Sequence, residues 1–293
     1  MTVRLIVNQG LRAFIGGLTA VVITGPWFAL AAQRAAVERE REEFFRWLAS
    51  APTSPLAAVA LVVVGSGIRL GPAGSDVPLN QLPEYRVSER NGRVVLTGPE
   101  VVRPLPRGRT VTIGRHTLLA AGPAGRTTLT VFTAPPRVET KPPKWYAYDP
   151  AATIEVTLKP PARPGTVRVL GADGVEVEAT EAGTVAASVN GASAVLSVRR
   201  MPGATPEESE LEVYFRDQTN GKGTYPAGRF VALIPAGEGR YRLDFNRAHN
   251  PFCAYSSVYP CPAPWRGNTI AARVEAGERY AGGGLDPANI PTQ

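Results

Sequence analysis

The sequence predicts a mainly β protein with a single amphipathic helix, and three observations carry that expectation. Glycine (30) and proline (28) are frequent among the 293 residues, a composition suited to many short strands joined by tight turns. Short β-branched segments recur from Ile68 onward, bounded by Asn-Gly, Asp-Gly or single glycines. One stretch alone, Ala35 to Ser50, spaces its apolar groups as a helix does. With 44% hydrophobic and 19% charged residues, the chain can bury a core and is not a disordered one.

The amino-terminal segment sets the expected compartment. Arg4 and Arg12 precede an uncharged run from Ala13 to Gln33, in which Ala29-Leu30-Ala31 has the small-x-small pattern of a signal-peptidase site. Residues 1–33 are read as a signal peptide or a retained membrane anchor. The protein is expected to be exported: periplasmic, extracellular, or held at the envelope membrane through residues 13–33. No Cys follows the apolar run, which excludes a lipoprotein.

In the predicted helix, Val37, Arg41, Phe44, Phe45 and Leu48 share one side, with Glu38, Glu40, Glu42 and Glu43 opposite. Pro52 and Pro55 stop it. The apolar run Leu56 to Val64 is a buried strand or the tail of a helix. Residues 34–133 form the helix and a small β region, with strands over 93–96, 110–113 and 128–132. Residues 134–145, rich in proline, read as a linker. A second β region, 146–280, has strands over 153–158, 166–170, 184–189, 194–198, 211–215, 230–234 and 241–246. Residues 247–268 lack either period, Ile270, Ala272 and Val274 alternate as a last strand, and 281–293 read as a disordered tail. A sandwich or partly open barrel with a long irregular loop near the carboxy terminus is the expected architecture.

The net charge of +7 lies almost wholly in residues 101–200, as scattered Arg and Lys. A nucleic-acid binder clusters such charge with exposed aromatics, so no nucleic-acid partner is expected, and a solvated basic face is. Phosphate-cradling loops, G-x-G-x-x-G turns, G-x-S-x-G elbows and H-E-x-x-H helices are all missing, so no cofactor is expected.

The carboxy-terminal third carries an ordered series of unusual segments: Phe215-Arg-Asp-Gln-Thr-Asn-Gly-Lys-Gly-Thr-Tyr225, Gly228-Arg229-Phe230, Leu243-Asp-Phe-Asn-Arg-Ala-His-Asn-Pro251, Cys253, Cys261-Pro262, Pro264, Asn268 and Glu275-Ala-Gly-Glu278. This series resembles the bacterial and archaeal domain of unknown function 1684 family, with its D-x-T-x-G-x-x-T-Y, D-F-N-x-A-x-N-P-x-C, C-P-x-P-x-x-N and A-G-E segments. The likeness spans roughly residues 35 to 280 and is strongest in the last seventy. Asn220, His249, Phe252 and Trp265 depart from the family's usual residues. The resemblance implies a family and no assigned chemistry.

Read physically, Asp217, Thr219, Tyr225, Arg229, Asp244, Asn246, Asn250 and Asn268 are a candidate polar site. Strands 211–215, 230–234 and 241–246 should form an antiparallel meander. That brings the 217–225 loop, Arg229 and Asn246 to one sheet edge, where Arg229 can pair with Asp217 or Asp244. The bland alternative is that these groups hold down the irregular loop through Asx-type hydrogen bonds. Cys253 and Cys261 are the two cysteines of the chain, and export predicts a disulfide between them. Structural zinc needs four ligands, and only His249 and His116 could join the thiolates as imidazoles, so no metal is expected. A Cys253–His249 dyad is a remoter reading. The leading function is binding of a small ligand or envelope partner. A hydrolase using Asp217 or Asp244 with Arg229 is the alternative, and a purely structural envelope component the third.

Overall fold

The computed structural model describes residues 26–133, 140–203 and 208–280. Most of the expected signal segment, the first half of the expected linker and the expected tail lie outside the described residues. Helix α1 runs Pro26–Ser50, beginning nine residues before the expected start. A proline at the first helical position is well tolerated, because its missing N–H has no intrahelical acceptor there. The expected mature end near Ala32 therefore falls inside α1. No helix among the described residues is long and apolar enough to cross a membrane.

The strands of the described residues form three sheets. After a 3-10 turn at Pro55–Ala57, capped by the Ser54 hydroxyl, the apolar run enters β1 (Ala58–Val63), only half-buried because it is an edge strand. A four-stranded sheet has the order β1-β9-β8-β7, with β7 Thr110–Ile113, β8 His116–Ala121 and β9 Thr128–Thr133. A five-stranded sheet has the order β3-β2-β4-β5-β6, with β2 Ile68–Gly71, β3 Val77–Pro78, β4 Tyr85–Arg90, β5 Arg93–Thr97 and β6 Val102–Pro104. Leu70, Val87 and Leu96 from one sheet and Leu118, Leu129 and Val131 from the other fill one core between them. Asn91-Gly92 turns the β4–β5 hairpin with φ of 50° and 72°, the positive pair that a two-residue hairpin turn requires.

The third sheet is seven-stranded, in the order β10-β16-β15-β14-β13-β12-β11. Its strands are β10 Thr153–Thr157, β11 Thr166–Leu170, β12 Glu176–Val189, β13 Ala192–Met201, β14 Glu210–Phe215, β15 Arg229–Gly237 and β16 Arg240–Asp244. All its pairs are antiparallel, and the expected β14–β15–β16 meander is present. β12 outruns its partner β11 and bulges between Glu181 and Gly183. There the sheet curls until Lys159 exchanges backbone hydrogen bonds with Thr184, at 2.8 and 2.9 Å. A side chain at Gly183 would sit 2.1 Å from the Lys159 carbonyl oxygen, so the approach requires glycine. The curl does not close into a barrel, since β11 stays an edge. Val185, Leu196, Val213, Phe215, Val231, Leu233 and Leu243 fill its inner face.

The last strand expected at 270–274 is not a strand. This segment finds side-chain partners in place of a full ladder: Val274 N–H donates to Asp217 Oδ2 at 2.7 Å, and the Val274 carbonyl accepts from Arg229 at 2.9 Å. The strand expected at 241–246 ends at Asp244, where a 3-10 turn runs Phe245–Arg247. The rest of 247–268 is irregular as expected, apart from a 3-10 turn at Phe252–Ala254. Helix α1 packs on this loop, with Phe44, Trp47 and Leu48 against Phe252 and Tyr259.

Candidate functional site

All eight residues of the candidate polar site are buried, and the structure divides them among several hydrogen-bond networks. The first lies where β14 ends. Asp217 accepts from the Thr219 amide and hydroxyl, from Val274 N–H and from Arg229 at 3.4 Å. Arg229, at 0% exposure, also donates to the carbonyls of Val274, Ala276 and Glu278. Burial lowers its pKa and the Asp217 carboxylate counters this, so the pair is a closed clip. Thr219 and Thr224 hydroxyls lie 2.8 Å apart beneath it.

Asp244 belongs to a second network, held by the Thr153 hydroxyl at 2.9 Å, by Asn246 and by Arg247. Arg247 reaches Glu40 of α1 at 2.7 Å, and Arg41 donates to the carbonyls of Tyr146 and Asn246. Two asparagines act as peptide-like splints. The Asn246 amide accepts from Asp149 N–H at 2.8 Å and donates to its carbonyl at 2.7 Å. Asn268 treats Ser197 in the same way and also donates to the Tyr214 carbonyl, where β13 and β14 no longer pair directly. A primary amide offers the same donor and acceptor as a strand neighbour.

Asn250 anchors the carboxy-terminal segment. Its N–H donates to Glu278, which also accepts from the Tyr255 hydroxyl. Burial raises the Glu278 carboxyl to about 7, against the opposing effect of these donors. Tyr225 lies elsewhere again, its hydroxyl 3.2 Å from both the Cys253 and Cys261 sulfurs. The expected disulfide is not formed: both cysteines are free thiols. His116 bonds Thr133 at 2.8 Å in the first half of the chain, and no cluster of metal-holding His, Cys, Asp and Glu exists among the described residues.

Open space lies on the opposite face of the same strands. Because side chains alternate, Leu211, Val213 and Phe215 enter the inner core while Glu212 and Tyr214 face outward. Tyr214 stacks on Phe230 at 4.1 Å. Beside them is a cavity of about 490 Å³, lined by Glu212, His249, Asp173, Glu178, Arg107, Met201, Val175 and Phe252 among others. His249 reaches this wall because its backbone pairs with Phe230 through two 2.9 Å hydrogen bonds. Arg107, on the opposite wall, is tied to Glu89 at 2.7 Å. None of the eight candidate residues lines this cavity. Reasoning from the sequence missed Glu212, although a carboxylate set between Leu211 and Val213, two residues before Tyr214, was the available signal.

The fold and these networks define a mainly β protein whose motif residues knit an irregular carboxy-terminal segment onto a curled sheet. Residues 142–279 match the profile of the family described as "Protein of unknown function (DUF1684)", and the chain belongs to that family. Among solved structures, the chain is similar to an uncharacterised protein of Haloarcula marismortui, solved in solution by NMR. The two are 32% identical over 49% of this chain and 79% of that one, with a TM-score of 0.42. No curated protein matches.

Proposed function

We propose that the protein is a non-catalytic binder of a small molecule, which it takes into the cavity lined by Glu212, His249 and Asp173. The carrying observation is the chemistry of that wall. Asp173, Glu178 and Glu212 supply acceptors, His249 an imidazole, and Met201, Val175 and Phe252 an apolar floor. Clefts of this size with a few convergent polar groups on an apolar lining are the usual form of small-ligand sites. The ligand class that fits is one rich in hydroxyl or amino donors with a non-polar face, such as an amino sugar. This site differs from the eight-residue polar site expected from the sequence, and His249 is the cavity residue that falls within the 217–250 stretch. A hydrolase built on Asp217 or Asp244 with Arg229 gains no support, because those carboxylates are enclosed and occupied by backbone and side-chain donors. The uncharged run from Ala13 to Gln33 behind two arginines supports a place of action outside the cytoplasm.

A thermal-shift screen of the full chain against amino sugars, peptidoglycan fragments, neutral sugars and nucleotides tests the binding reading. A donor-rich ligand should raise the melting temperature, and Glu212→Gln should remove that rise. A ligand whose effect survives Glu212→Gln and His249→Ala would place binding elsewhere. Fractionation tests the location, which full-length protein recovered only from the cytosol would overturn.

A further inference from the structure

The pairing of Tyr225 with two free thiols is unused by the cavity and by the structural networks. Cys253 sits buried in the Phe252–Ala254 turn, and Cys261, half-buried, lies between Pro260 and Pro262. Proline restricts the backbone on either side. Both sulfurs lie 3.2 Å from one hydroxyl oxygen, so they are at most 6.4 Å apart, twice that distance. Two metal–thiolate bonds of about 2.3 Å each would span about 4.6 Å in a line, within that limit.

We propose that Cys253 and Cys261 bind one soft monovalent metal ion of the Cu(I) class as a two-thiolate site, with Tyr225 donating a hydrogen bond to it. Thiolate ligands select such ions over harder ones. Structural zinc wants four ligands, and the described residues hold no group of three His, Cys, Asp or Glu for it. Phe252, Tyr259 and Trp47 form an apolar shell around the turn, while half-exposed Cys261 gives the entry path.

Uptake breaks the S–H bond of each protonated thiol and forms two metal–sulfur bonds: two thiols and M⁺ give an anionic bis-thiolate complex, and the thiol protons pass to solvent. No oxidant or reductant is needed.

The test titrates the full, reduced, metal-free chain anaerobically with Cu(I) buffered by bicinchoninate. One equivalent should leave the chelator, with protons released on uptake and affinity rising with pH, because the ligands must be deprotonated. Cys253→Ser and Cys261→Ser should each abolish uptake, while Tyr225→Phe keeps the stoichiometry and weakens the affinity. Should the serine variants unfold, two wild-type readings decide: release of protons on uptake, and protection of both thiols from iodoacetamide by bound metal. Failure to draw Cu(I) from the chelator, uptake without proton release, or undiminished uptake by a folded Cys261→Ser variant overturns the assignment.

Discussion

Two polar regions flank strands β14 and β15, and they differ in what their charges face. The Asp217–Arg229 clip is enclosed, with both side chains at 0% exposure and the carboxylate filled by backbone and hydroxyl donors. The Glu212–His249 wall, a few residues away along the same strands, borders about 490 Å³ of open space. The motif-dense region is the closed one. Sequence motifs here mark where an irregular segment must be tied down, and the open face uses residues with no motif around them. Low-dielectric surroundings make the closed network costly to damage, whereas an exposed residue of the cavity wall such as Glu178 can change charge with little cost to the fold.

The largest test of this contrast is Arg229→Ala. It strands the buried Asp217 carboxylate and frees three carbonyls, so urea denaturation should show a loss of about 3–5 kcal/mol. A loss below about 1 kcal/mol would erase the distinction between the two regions. Arg229→Lys should not recover the loss, because an ammonium cannot fork to Asp217 and the carbonyls together.

Glu278 gives the next largest effect. Its carboxyl is raised from 4.5 to about 7 by burial, so the folded state holds the proton more tightly than the unfolded one. Its contribution is fully present below about pH 4.5 and lost as pH rises through about 7. The scale is of order 3 kcal/mol, from the shift at about 1.4 kcal/mol per unit. Chemical denaturation between pH 4.5 and 7.5 should show this decline, and Glu278→Gln should flatten it.

Asn268→Ala removes a splint of intermediate size. It leaves the Ser197 and Tyr214 backbone groups without their amide partner, a loss of about 1–3 kcal/mol in denaturant melts. The smallest effect is expected at Glu178, an exposed residue of the cavity wall. Glu178→Gln should leave stability within about 0.5 kcal/mol while weakening whichever ligand the thermal-shift screen identifies.

Much of the strand pattern was legible in the sequence because it depends on local alternation and turn chemistry. β7 and β11 have the expected bounds, and the Asn190-Gly191 turn has φ of 48° and 79°. β4 and β8 had no strand assigned to them, and their order in the sheets depends on partners distant in sequence. The start of α1 was placed too late because its early residues read as part of the apolar leader. The segment 270–274 alternates like a strand, yet its backbone partners include the side chains of Asp217 and Arg229, which no periodicity reveals. The two cysteines are brought to one hydroxyl but remain unbridged.

By itself the sequence determined the β class, the family and the β14–β15–β16 meander. Those follow from short-range rules: side chains alternate along strands, Asn-Gly makes hairpins, and consecutive strands pair. Only the tertiary structure decided which polar groups tie down backbone and which line a cavity. Whether a carboxylate is scaffold or site depends on what crosses it from elsewhere in the chain: residues 274–278 close over Asp217, while Ala121, His249 and Met201 surround the opening at Glu212.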